Sequence, residues 1–103
     1  MQVIWINILI HKFFDNLMKI FLHRNFKKRY KNLNLNEKEK FEHRRNLFLQ
    51  NPFDQILNNH SLGGNYKGYR SINITGDLRV IYEPLDKETV LFIKIDTHSN
   101  LYK

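Results

Sequence analysis

The apolar positions of the chain follow two different periods, near 3.6 in its first half and near 2 in its second. Met18–His23 (MKIFLH) is a compact apolar run with strand character, bounded by Arg24-Asn25. Phe26, Tyr30 and Leu33 then recur at spacings of four and three among Lys27, Lys28, Arg29 and Lys31. That spacing predicts a short amphipathic helix with a basic outer face. Asn32–Asn36 breaks it. Asn36 followed by Glu39 has the N-cap and N3 arrangement of a capping box, and Glu37 suits a helix start. A second helix is expected from there to about Gln50, ending before Pro52, with Phe41 and Phe48 on its buried stripe. Asn51–Asn59 reads as a turn plus one helical turn carrying Phe53, Ile56 and Leu57. Upstream, MQVIWINILI is too short to span a bilayer and lacks the basic start and cleavage site of a signal peptide.

In the second half Tyr66–Asn73, Asp77–Glu83 and Thr89–Thr97 read as three strands. A loop of Ile74-Thr75-Gly76, with Gly76 in the left-handed position, would pair Asn73 with Asp77, Ile72 with Leu78 and Ser71 with Arg79. That register separates apolar from polar positions, which a two-residue turn would mix. In the last strand Leu91, Ile93 and Ile95 share one parity, and Phe92, Lys94, Asp96 and His98 the other. The expected sheet therefore has a core face under the helices. Its open face carries Ser71, Asn73, Asp77, Arg79, Lys94 and His98.

Composition narrows the classes. With 103 residues the chain has room for one small core, and 42% apolar content is enough to fill it. The absence of cysteine excludes a disulfide scaffold, a thiolate metal site and a cysteine nucleophile, and fits a reducing, cytoplasmic setting. The five histidines show neither H-E-x-x-H nor close paired spacing, so no metal site and no cofactor is expected. Lys and Arg number 17 against 10 Asp and Glu, a net charge of +7. Residues 19–45 hold ten of the cations and only three acids, whereas residues 46–103 balance six against six. The excess is thus one segregated block, a surface suited to a polyanion such as nucleic acid.

Specific strings then carry a resemblance. HSLGGNYKGYRSINITGDLRVIYE (60–83), IDTHSNLY (95–102) and NPFDQILNNH (51–60) closely resemble the RelE/StbE branch of bacterial type II toxins, which includes YafQ-like proteins. FKKRY (26–30) looks like the first helix of that branch. The resemblance spans about 18–102 and implies an α+β, RelE/ParE-type fold: N-terminal helices packed on a twisted antiparallel sheet of about four strands. It also implies a toxin domain at 18–103 preceded by an extension at 1–17, or by a misplaced start with Met18 as the true one. The implied activity is ribosome-dependent cleavage of mRNA. The implied partners are a cognate antitoxin, the ribosome and mRNA, with no membrane.

Metal-independent RNA cleavage uses the neighbouring 2′-hydroxyl as nucleophile. It needs a base for that proton, an acid for the leaving 5′-oxygen and cations for the phosphate. His98 matches the catalytic histidine of the THSxLY motif and is the first choice as general base. Asp77 matches an acid or base of relatives, Arg79 a transition-state arginine, and His60 a further functional histidine. Lys67, Arg70 and Asn73 are RNA-contact candidates, and Tyr102 matches a terminal aromatic that stacks on a base. Arg70 shares parity with Ile72, which would equally serve packing. Three positions depart from the pattern: Asn73 replaces a histidine, Gly63 a lysine, and Asp96 the glycine before THS. Two other readings stay open at this point, a ParE-like inhibitor of DNA gyrase and a degenerate toxin that only binds antitoxin.

Overall fold

A computed structural model describes residues 18–102. The expected extension at 1–17 lies outside the described residues. In chain order the elements are β1 (Lys19–Leu22), α1 (Arg24–Tyr30), α2 (Leu35–Gln50), a 3-10 turn (Gln55–Leu57) and β2 (His60–Ser61). A second 3-10 turn (Gly64–Tyr66), β3 (Arg70–Asn73), β4 (Leu78–Pro84), β5 (Thr89–Thr97) and the one-turn helix α3 (His98–Leu101) follow.

Side-chain caps set the helix starts. His23 Nδ1 accepts from the Asn25 N–H at 3.0 Å and opens α1. At α2 the box is Asn34 with Glu37, two residues before the expected Asn36 and Glu39. Asn34 Oδ1 accepts from Glu37 N–H at 2.8 Å, and Glu37 Oε1 accepts from Asn34 N–H at 3.0 Å. Both asparagines have a glutamate three residues on. The earlier start wins an added stretch of helix ladder, beginning with Lys38 N–H to Asn34 O at 3.0 Å.

The five strands form one sheet in the order β1-β5-β4-β3-β2, so the sheet is mixed. β1 runs parallel to β5, and the remaining pairs are antiparallel. The α+β architecture otherwise follows the expected arrangement, with α1 and α2 on one face. Three local expectations change. The β3–β4 pairing joins Asn73 to Arg79 and Ile72 to Val80, a slip of two residues that keeps every side chain on its face. The connection is closed instead by Leu78 O, which accepts from Ile74 N–H at 2.8 Å, and Gly76 has no positive φ. Residues 66–69 do not extend β3, because Gly68 turns the chain with φ of +93°.

The third change is a β-bulge. Ile81 pairs with Lys94 but Tyr82 with Phe92, which leaves Ile93 as an extra residue on β5. Parity therefore inverts there: Val90 and Phe92 face the helices before it, Ile95 after it. Phe92 is accordingly in the core, not on the open face, and Leu91 and Ile93 are only half-buried. Phe92 is 0% exposed and contacts Phe26, Phe41, Phe48 and Tyr82 at centroid distances of 5.8, 6.2, 5.6 and 6.0 Å. Each such tilted pair adds about 0.5–1.5 kcal/mol beyond area burial. Phe53 and Ile56 of the expected helical turn stay exposed, while Leu57 enters the core. No helix among the described residues is long and apolar enough to cross a membrane.

Candidate functional site

On the face away from α1 and α2, register fixes which side chains are neighbours. His60 lies opposite Ser71, and Ser71 opposite Ile81. Asn73 lies opposite Arg79, and Arg79 opposite Asp96. Beside these rungs opens a cleft of about 370 Å³ lined by Asn58, His60, Leu62, Ser71, Arg79, His98 and Tyr102. A larger groove of about 560 Å³ runs along α2 against Ile56, and its charged and titratable lining, Glu39, Lys40, His43 and Arg44, comes from that one helix.

The chain reaches His60 through Asn58, whose φ of 46° is left-handed, a conformation asparagine tolerates better than most residues. The ring is then held by its neighbour: Nδ1 lies 2.7 Å from Asn58 O. A carbonyl only accepts, so Nδ1 donates to Asn58 O and Nε2 is the nitrogen left out of that bond. His98 begins α3. Its backbone N–H donates to Asp77 O at 2.9 Å, and its ring lies 4.8 Å from that of Tyr102. Arg79 Nη1 donates to Thr75 O at 2.9 Å. A guanidinium has five donors, so this contact leaves most of the fork for an anion.

The structure thus brings together four expected residues: His60, Arg79, His98 and Tyr102. Asp77 is exposed in the β3–β4 connection and reaches this group through its carbonyl, its carboxylate not being part of the cleft wall. Lys67 is exposed in the loop after the second 3-10 turn, outside the cleft wall. Arg70 points to the other face. Its Nε donates to Asn59 Oδ1 at 2.8 Å and its guanidinium lies 5.3 Å over the Phe53 ring. Asn59 Nδ2 in turn donates to Tyr82 OH and Pro52 O, both at 2.8 Å. Burial pushes the Tyr82 phenol up, against the lowering effect of Asn59 and Arg70. Arg70 thus anchors the residue preceding His60 and packs structurally, as its parity allowed. Asn73 Oδ1 is buried without a hydrogen-bond partner, beside Arg79.

Tyr66 is a neighbour that the strand pattern concealed. Its ring lies 6.0 Å from that of Tyr102, and its hydroxyl donates to Leu101 O at 3.3 Å. Lys94 Nζ donates to the same hydroxyl at 3.2 Å and sits 5.4 Å over the ring. Asn58 and Leu62 were also missed, because a two-residue strand is too short for periodicity to register. At the far end of β5, Asp96 Oδ1 accepts from Arg29 Nη2 at 3.2 Å in an ion pair. Partial burial pushes its carboxyl up, but bonds from Asn100, Thr97 N–H and Arg29 outweigh that and hold it below the usual value. No cluster of three or more potential metal ligands occurs among the described residues.

The fold defined by these elements is that of small bacterial toxins. It is similar to YafQ from E. coli strain BL21(DE3), at 25% identity and a TM-score of 0.66, covering 84% of this chain and 99% of that one. The YoeB/ParE toxin from Agrobacterium tumefaciens shares the fold at 21% identity and a TM-score of 0.66, with 79% and 99% covered. The E. coli DinJ-YafQ toxin-antitoxin complex matches at 22% identity and a TM-score of 0.62, with 84% and 98% covered. No curated protein sequence matches the chain. Residues 18–103 match the family described as bacterial toxin of type II toxin-antitoxin system, YafQ, and the chain belongs to that family.

Proposed function

We propose that this toxin is a ribosome-dependent endoribonuclease that cuts mRNA by metal-independent transphosphorylation. The observation that carries the reading is the convergence of two imidazoles, a guanidinium and a terminal tyrosine on one cleft. The 2′-oxygen attacks phosphorus as its proton passes to a base, and the bond from phosphorus to the 5′-oxygen breaks as an acid protonates that oxygen. The products are a 2′,3′-cyclic phosphate and a 5′-hydroxyl. His98 and His60 carry the proton transfers, with Nε2 the nitrogen that His60 brings to them, while Asp77 meets this corner through its carbonyl rather than its carboxylate. Arg79 meets the charge on the phosphate, and Tyr102 offers a ring to a base. Orientation of the message comes largely from the ribosome.

The exposed cations Arg24, Lys27 and Lys28 of α1, and Lys31 just after it, lie on the layer opposite the cleft. They would dock on ribosomal RNA, with binding that weakens as salt rises. A cognate antitoxin is the second partner, in line with the E. coli complex of similar fold. Purified ribosomes programmed with mRNA test the reading: cuts in the decoding site are expected from the wild type and lost in His98→Ala with folding intact. Intact message together with inhibited DNA gyrase would replace it with the ParE-like reading. Intact message with retained antitoxin binding alone would mark a degenerate toxin.

A further inference from the structure

We propose that Asp96 is a positioning residue for His98, one carboxylate oxygen holding α1, β5 and α3 in a fixed relation at the corner from which His98 enters the cleft. The inference rests on the cleavage reading for its kinetic consequence, though not for its geometry. Asp96 Oδ1 accepts from Arg29 Nη2 of α1 at 3.2 Å, from Thr97 N–H at 2.8 Å and from Asn100 Nδ2 of α3 at 3.0 Å. Three donors on one oxygen fix the strand-to-helix angle more tightly than any one bond would.

The corner needs such a tie. α3 is a single turn, far below the length at which a helix holds itself in water. β1 pairs only with residues 89–92 of β5, so the stretch 94–97 has a ladder on the β4 side alone. The Arg29–Asp96 pair occupies the side where a strand is missing. Two other contacts complete the clamp. Thr97 Oγ1 accepts from Asn100 N–H at 3.2 Å, and Asp77 O accepts from His98 N–H at 2.9 Å. Asp96 is the member that reaches across to the basic helix, so the orientation of His98 depends on a residue in the docking layer.

The test uses the full chain, isotopically labelled, and reads the His98 amide exchange and imidazole signals by NMR beside cleavage kinetics on programmed ribosomes. In Asp96→Ala the His98 amide should exchange faster and its ring signals shift, while the His60 ring signals stay in place. kcat should fall about ten- to a hundredfold with KM nearly unchanged, the pattern of a misaimed group rather than lost binding. Asp96→Asn, which keeps an acceptor of the same shape, should recover most of the loss. Arg29→Gln, which leaves β5 and α3 untouched, should move the same His98 signals and decides the matter alone if Asp96→Ala does not fold. Unchanged His98 signals in the folded variants would overturn the proposal. If the wild type cuts no message, the cleavage reading falls while the NMR arm still judges the positioning.

Discussion

The two faces of the sheet are built on opposite plans. On the helical face, Phe26, Phe41, Phe48 and Phe92 come from the two helices and the middle of β5 and hold one another by contact. On the cleft face, His60, Arg79, His98 and Tyr102 come from strand ends, a one-turn helix and the C-terminal segment. There a ring, a guanidinium or a backbone N–H is held by one or two hydrogen bonds to carbonyls, at Asn58 O for His60, Thr75 O and Leu78 O for Arg79, and Asp77 O for His98. Packing is shared among many atoms and degrades gradually. Positioning by a few directional bonds frees the working atoms but concentrates dependence on a few partners. Stability should therefore respond to the first face and chemistry to the second.

The sharpest way to break that division is His98→Ala. Cleavage should drop about 10²- to 10⁴-fold, while the unfolding midpoint in urea stays close to the wild-type value. A large fall in stability would mean that the cleft residues also carry the fold. Phe92→Ala is the reciprocal change, expected to cost about 3–5 kcal/mol in urea unfolding, with residual folded protein still able to cut. Asn34→Ala removes the α2 cap and should cost about 1 kcal/mol, with cleavage per folded molecule unchanged. The smallest effect concerns acid. The folded pKa of Asp96 lies below its ordinary value of 3.8, so its contribution is whole above that value and is lost as pH falls through the folded one. Urea unfolding between pH 6 and 2 should show Asp96→Ala converging on the wild type at the acid end. A constant gap across that range would separate the carboxylate from its charge.

The helical face was the more legible in sequence, because a side chain that packs must recur at the period of its element. Phe41 and Phe48, seven apart, needed nothing further to be placed. What escaped were effects that period does not encode. The choice of Asn34 over Asn36 turned on extra ladder bonds rather than on side-chain type. The slip from Asp77 to Arg79 as the partner of Asn73 is silent in parity, since a shift of two leaves each face as it was. On the cleft face the motif strings located His60, Arg79, His98 and Tyr102, yet only coordinates separate Arg70, which anchors Asn59, from the residues it was grouped with. Asp77 shares that lesson, since the contact the structure gives it in the corner is made by its backbone. A sequence reports the side chain and is mute about which end of a residue is used.

The extra residue at Ile93 acts on β5 as a parity bit acts on a message. Every residue before it reads in one frame and every residue after it in the other. Straightening the strand with that half-buried isoleucine kept in the ladder would leave Lys94 through His98 unaltered in identity and order while exchanging their sides. The catalytic candidate would then be filed with the core and Ile95 with the solvent. The strand thus stores, in a single uncounted position, the instruction that tells its second half which way is out.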